Sequence, residues 1–235
     1  MKQLKLFIKF SLNSRLASVL FIEIVLSVLI SLISLYLFLK IGHEVLDKDI
    51  LLFDSVLTNF IYNFRSPSIT NVMLFFTFLG SALTLTVLSL IMILYIGTIR
   101  KKDALIYLAI FYSGVIVNLI LKYIYQRPRP NDFPLIHENT LSFPSAHAMN
   151  SFVFFAALSY FILRETKNVK IAFAISIVSI IVIGFIGLSR IYLGVHYPSD
   201  VIGGYIAGFL WFVSAILFEK TIIFERLYKR MKNER

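Results

Sequence analysis

Residues 189–200 read Ser189, Arg190, Ile191, Tyr192, Leu193, Gly194, Val195, His196, Tyr197, Pro198, Ser199, Asp200, and they lie between two long apolar segments. An arginine, a histidine and an aspartate are costly to keep so close to a membrane-type segment, which points to a task. Arginine suits paired contacts on phosphate oxygens. A histidine four residues ahead of a carboxylate can have one ring nitrogen held by it while the other stays free. Two further stretches add what this one lacks: Lys122 with Arg129 and Pro130, and Pro144, Ser145, Ala146 and His147.

A phosphate ester asks for this set. Phosphoryl transfer is helped mainly by positioning and by stabilising charge on the non-bridging oxygens. Lys122, Arg129 and Arg190 supply cations. Ser145 and the backbone N–H groups after Pro144 sit where a helix begins, and a helix N-terminus offers free donors and a favourable dipole to an anion. His196 can attack phosphorus while Asp200 holds the proton on its other nitrogen. His147 can protonate the departing lipid alkoxide, or phosphate from a diphosphate, help typically worth about 10²–10⁴ in rate. Water then hydrolyses the phosphohistidine with His147 as base. Taken singly, Lys122 or His147 reads as an ordinary flanking residue. Jointly, three cations and two histidines at one membrane edge do not. Each Arg or Lys would cost about 2.5–3.5 kcal/mol at mid-membrane, so a shared hydrated pocket is the natural resolution. His43 and His137 lack such company.

The elements that must position these groups are helices. Hydrophobic residues make up 58% of the chain, charged residues 15%, and the mean hydropathy is +0.83. A soluble domain of this length cannot bury that much apolar surface, so the class is an all-α polytopic membrane protein. Residues 1–15 form a short basic amphipathic piece expected on the membrane surface. An uncleaved first span covers 17–41, with Glu23 expected near an interface or hydrogen-bonded within the bundle. Apolar spacing over 50–64 predicts an interfacial helix. Further spans are expected over 72–98, 104–126, 145–164, 171–188 and 200–218, six in all. Arg127 precedes Pro128, which stops the third span. Pro198 suits the first turn of the sixth. Gly80 with Ser81, and Gly204 with Gly208, mark close helix approach, while Asn118 and Asn150 are expected to bond between helices. The tail 220–235 is basic and amphipathic. No linker or repeat divides the chain, so residues 1–235 are expected to form one domain.

Charge orients the spans. Lys2, Lys5, Lys9, Arg15, Arg100, Lys101, Lys102, Arg164, Lys167, Lys170 and the tail cations fall on one side, which the positive-inside rule makes cytoplasmic. Lys122, Arg129, His147, Arg190, His196 and Asp200 then all fall on the outer face. The net charge of +10 is carried by these flanks and reads as a topology and lipid-headgroup signal, not a nucleic-acid surface. The absence of cysteine excludes disulfides, thiolate metal sites and cysteine nucleophiles.

In order and spacing, Lys122 to Arg129-Pro130, Pro144 to His147, and Ser189-Arg190 to His196 and Asp200 form a three-part pattern. It resembles the signature of the type 2 phosphatidic acid phosphatase family, and covers residues 122–200. The family's six-helix layout matches the whole chain. Ala146 stands where the family usually has glycine, which is tolerable unless φ is positive there. Arg127 could also reach a phosphate, but the spacing selects Arg129. The resemblance implies His196 as nucleophile, His147 as acid and base, Asp200 as orienting partner, Lys122, Arg129, Ser145, Ala146 and Arg190 as phosphate ligands, and neither metal nor cofactor.

The implied activity is hydrolysis of a lipid phosphate or diphosphate at the outer face of a plasma membrane. Undecaprenyl diphosphate and phosphatidylglycerophosphate are the first candidates; phosphatidic acid and a lipid A phosphate also fit. Sugar-phosphate phosphatases and the soluble vanadate-dependent haloperoxidases share the signature. A non-enzymatic phosphate-lipid transporter or receptor could use the same cations, but would give His196 and Asp200 no reason to pair.

Overall fold

The computed structural model describes residues 2–131 and 133–233 of the chain. Among them are eight helices and no strand: α1 (Lys2–Asp47), α2 (Leu51–Tyr62), α3 (Pro67–Leu79), α4 (Ala82–Ile99), α5 (Lys101–Tyr125), α6 (Ala146–Thr166), α7 (Val169–Tyr192) and α8 (Pro198–Asn233). Six of them (α1, α4, α5, α6, α7 and α8) are long and apolar enough to cross a membrane. Contacts along the chain divide it into two compact units, residues 35–212 and residues 1–34 with 213–235. In the second unit Lys220 ion-pairs with Glu23, the internal bond expected of that carboxylate. Phe21 packs beside Phe224 there, with ring centroids 6.4 Å apart.

The basic segment 1–15 is not a separate helix. From Lys2 it runs without a break into the first span, because neither glycine nor proline occurs before Gly42 to interrupt it. At the other terminus α8 likewise continues through the basic tail as far as Asn233.

The expected second span over 72–98 is two helices. Gly80 ends α3, and Ser81 caps α4 by accepting the Thr84 N–H on its hydroxyl at 3.2 Å. Hydropathy runs smoothly across this point, so it hides the break. The bare glycine has a packing reason: a Cβ on Gly80 would lie 2.4 Å from Ile186 Cγ2 of α7 and 3.3 Å from His147 Cδ2 of α6. α3 opens on Ser66, whose hydroxyl accepts from Ile69 N, with Pro67 in the first turn.

α2 is amphipathic in the reverse of the soluble sense. Leu51, Leu52, Phe53, Val56 and Phe60 are exposed, while Asp54 is 1% exposed. The face turned to the protein carries an acid and the outer face carries the hydrocarbon.

α6 packs on α5 and α7, α4 on α5, and α3 on α7. α8 approaches the start of α6 backbone to backbone: a Cβ on Gly204 would sit 2.8 Å from the Ser145 carbonyl oxygen, and one on Gly208 2.9 Å from that of Met149. The small-residue pair therefore does what its spacing predicts. Lys122 lies in the last turn of α5, His147 in the first of α6, Arg190 in the last of α7 and Asp200 in the first of α8. Alternating helix directions bring all four to one end.

Candidate active site

The site is built on the turn between α7 and α8. Gly194 adopts φ +79°, a left-handed conformation that glycine takes without steric cost. That bend lets the N–H groups of Val195 and His196 both return to the Arg190 carbonyl, at 3.1 and 3.3 Å. Arg65, between α2 and α3, clamps the turn: its Nε and Nη2 donate to the Tyr192 carbonyl at 3.0 and 2.8 Å. Its guanidinium stacks 3.4 Å above the Tyr62 ring. No motif or spacing in the sequence singles out Arg65 for this task.

His196 is 1% exposed. Its Nδ1 lies 3.3 Å from Asp200 Oδ2, and the two residues are one helical turn apart in sequence. On the ring's other edge, Arg129 Nη1 stands 3.1 Å from Nε2. A guanidinium can only donate, so Nε2 must be the acceptor, and in the neutral ring the proton then resides on Nδ1 facing Asp200. Burial pushes the His196 imidazole well below its ordinary value, and the cations Arg129, Arg190, Lys122 and Arg127 push it further the same way. The ring is therefore neutral at pH 7, with an Nε2 lone pair directed at the cation cluster. That is the form a nucleophile requires.

Ser142, in the loop before α6, sits against both members of this pair. Its hydroxyl donates to Asp200 Oδ2 at 2.5 Å and lies 3.3 Å from His196 Nδ1. Asp200 Oδ2 also accepts the Tyr197 N–H at 2.8 Å. Asp200 Oδ1 accepts from Arg127 Nη1 at 2.7 Å, which fills the carboxylate's coordination. Arg127 thus holds the oxygen of Asp200 opposite the one that faces His196. Burial would lower its guanidinium, but the carboxylates of Asp200 and Asp54 outweigh that and hold it above its ordinary value.

Three cations converge from the front. Arg129 is fixed by the Val195 carbonyl at 2.7 Å and by Thr140, whose carbonyl accepts at 2.5 Å and whose hydroxyl accepts at 2.7 Å. Lys122 Nζ donates to the carbonyls of Leu141 and Ser142, tying the end of α5 to the loop. Arg190 is 1% exposed, with Nη1 on the Thr77 hydroxyl and Nη2 on Glu138 Oε1 at 2.5 Å. Its Nε is buried with no hydrogen-bond partner. Ser145, at the start of α6, is held through its backbone, with its N–H on the Asp200 carbonyl at 3.0 Å. Its hydroxyl makes no cap bond and is a second buried donor without a partner. Two unmatched donors inside a cationic pocket are what an anion would satisfy. His147 lies within electrostatic reach of Arg190, His196, Arg129 and Lys122. Ala146 is absent from the residues with positive φ, so the missing glycine causes no strain.

The six ionisable residues singled out from the sequence meet at this end, together with Ser145 and Ala146. Five contributors were not foreseen: Ser142, Thr77, Glu138, Thr140 and Asp54. Of the two asparagines, Asn118 bridges to the Pro144 carbonyl at 3.3 Å, while Asn150 Oδ1 is buried without a partner. Among the described residues no group of three or more His, Cys, Asp or Glu side chains is gathered to hold a metal ion.

Comparison with known proteins agrees with this geometry. The chain is 35% identical over 165 residues to phosphatidylglycerophosphatase B of Bacillus subtilis, covering 67% of this chain and 79% of that protein. It is 27% identical to the undecaprenyl-diphosphatase BcrC of the same organism, over 63% of this chain and 77% of the relative. It is 32% identical to a lipid A 1-phosphatase of Rhizobium johnstonii, over 64% of this chain and 61% of the relative. The crystal structure of the transmembrane PAP2 type phosphatidylglycerolphosphate phosphatase from Bacillus subtilis superposes with a TM-score of 0.77 at 29% identity, covering 82% of this chain and 96% of that one. The model of the PAP2 superfamily matches residues 103–223, a segment that holds Lys122, Arg127, Arg129, Arg190 and both histidines of the site. The chain belongs to the PAP2 superfamily, as a multi-pass membrane protein whose relatives are named phosphatases.

Proposed function

We propose that this protein is a lipid phosphatase that hydrolyses phosphatidylglycerophosphate or undecaprenyl diphosphate through a phosphohistidine intermediate. Phosphatidic acid or a lipid A phosphate is the alternative substrate. His196 is the nucleophile. The observation that carries this reading is the direction of its ring: Asp200 takes Nδ1, and Nε2 points to Arg129 within the cation cluster. Lys122, Arg129, Arg190, the Ser145 hydroxyl and the N–H of Ala146 gather the non-bridging oxygens. Nε2 attacks phosphorus, the bond from phosphorus to the leaving oxygen breaks, and His147 gives that oxygen a proton. His147 then takes a proton from water, which attacks the phosphohistidine and releases inorganic phosphate.

The whole chain works as a single phosphatase domain in this proposal. Its termini are cytoplasmic and its site opens on the outer face of the plasma membrane, a reading supported by the charge bias of the flanks.

Phosphate release from a panel of purified lipid phosphates, in detergent with EDTA present, tests the activity and ranks the substrates. His196→Ala should abolish turnover while lipid binding persists. Unchanged phosphate release by that variant, or loss of wild-type activity to the chelator, refutes the mechanism.

A further inference from the structure

On the oxygen of Asp200 opposite the one facing His196 lies a second ionic group. Arg127 donates from Nη1 to Asp200 Oδ1 and to the Ser199 hydroxyl, both at 2.7 Å, and from Nη2 to Asp54 Oδ2 at 2.7 Å. Asp54 in turn accepts the Ser199 N–H on Oδ1 at 2.9 Å and the Ser199 hydroxyl on Oδ2 at 2.7 Å. The guanidinium lies 4.2 Å from the Tyr197 ring, which covers it. Asp54, Ser199 and Asp200 are at most 1% exposed and Arg127 is 7% exposed.

Sealing two carboxylates and a guanidinium away from water carries a desolvation cost of several kcal/mol per ion, and is tolerated only with good geometry and satisfied hydrogen bonds. Apolar side chains of similar size would often fill such a space as stably. The arrangement therefore points to a purpose other than stability. Its charges also divide in an informative way. Asp54 and Arg127 neutralise each other, which leaves the negative charge of Asp200 to face His196. The donors from Arg127, Ser142 and Tyr197 fix which lone pairs Asp200 turns to the ring.

We propose that Asp54 and Arg127 are positioning residues for the hydrolysis. Asp54 and Ser199 set the plane of Arg127, Arg127 sets the carboxylate of Asp200, and Asp200 sets His196 in the tautomer that attacks. α2 is then part of the catalytic apparatus: its exposed hydrocarbon face and its buried acid serve one helix that docks against the start of α8. This inference rests on His196 acting as the nucleophile.

The experiment measures kcat, KM and the pH dependence of kcat/KM for Arg127→Gln, Asp54→Asn and Arg127→Lys with a detergent-soluble lipid phosphate. Thermal unfolding of each variant is followed alongside. Because neither residue meets the phosphate, kcat should fall about 10- to 100-fold, the range expected for a lost charge-assisted hydrogen bond, while KM stays within about twofold. The charged groups facing His196 are Arg127, Arg129, Arg190 and Lys122, with Asp200 beside Nδ1 and His147 across the pocket. Removing the Arg127 charge takes away one of the repulsions that keep the ring neutral, so the acid limb of the profile should move to higher pH in Arg127→Gln. Arg127→Lys keeps the charge and should hold the limb in place while kcat stays low, since one ammonium cannot reproduce the fork.

A well-folded Arg127→Gln with an unmoved acid limb and wild-type kcat overturns the proposal. So does a rise in KM at constant kcat, which would make Arg127 a phosphate ligand. Should Arg127→Gln not fold, Ser199→Ala removes only the hydroxyl that links Asp54 to Arg127. It must then lower kcat without raising KM, and a wild-type kcat there overturns the proposal equally. Turnover by His196→Ala would instead sink the underlying mechanism, so the two failures are distinguishable.

Discussion

Glu138 should act as a built-in competitor for the anion pocket, and removing it should tighten phosphate binding. In the structure its carboxylate holds Arg190 Nη2 at 2.5 Å, and a phosphate that takes both ends of this guanidinium has to displace it. A hydrogen bond between charged groups contributes about 1.5–3 kcal/mol. Glu138 is 30% exposed, so screening reduces its hold on Arg190 below that range, to about 1–1.5 kcal/mol. That difference corresponds to about a five- to twelvefold change in affinity. Glu138→Ala should therefore lower the inhibition constant for inorganic phosphate by about that factor. KM for the lipid should fall in parallel, and kcat should change little unless product release becomes limiting. Glu138→Gln, which can still accept from Arg190 but carries no charge, should fall between. Competitive inhibition of phosphate release, measured at two ionic strengths in detergent, is the assay, since the wild-type pair weakens with salt and the variant has no pair to weaken. An inhibition constant that rises in Glu138→Ala refutes the reasoning. Glu138 would then be holding Arg190 in place for the substrate, not obstructing it.

Three other outcomes follow from the same geometry. Ser142→Ala removes the donor that reaches Asp200 Oδ2 at 2.5 Å and should lower kcat about tenfold or more with little change in KM, read from steady-state phosphate release. Gly204→Leu should prevent proper docking of α8 on α6, because even a Cβ would meet the Ser145 carbonyl oxygen at 2.8 Å; loss of folded protein on size exclusion in detergent, with Ile202→Leu at an exposed position of the same helix folding normally, checks it. The third outcome concerns pH. His196 is buried neutral, with a folded value well below the ordinary one of about 6.5. Its contribution to stability is fully present above about pH 6.5 and is lost as pH falls through the folded value, because only the unfolded chain takes up the proton in that window. The melting temperature should drop on acidification below about pH 6.5, and His196→Asn should show a shallower drop.

The front of the site was legible in the sequence because its chemistry is concentrated in short runs. Arg190, His196 and Asp200 share one turn, Lys122 and His147 lie at helix ends whose alternation brings them together, and Arg129 follows α5 in the adjoining loop. The back was not legible. Asp54 is separated from Ser199 by 145 residues, and in a window of leucines and phenylalanines it looks like a polar surface position. The signal was inverted: on a helix that shows hydrocarbon outward, the lone acid marks the face turned to the protein. Ser142, Thr140 and Glu138 sit in an irregular loop, where periodicity carries no information about direction. The break at Gly80 and Ser81 was lost for a different reason. Hydropathy averages over a window, while the break depends on how closely Ile186 approaches one Cα.

The guanidinium of Arg129 standing on His196 Nε2 has a chemical consequence for the resting enzyme. The lone pair that the proposed mechanism uses is covered by a group that can donate but not accept. In that mechanism phosphate oxygens compete with Nε2 for the Arg129 donors, so seating the anion and baring the nitrogen become one event.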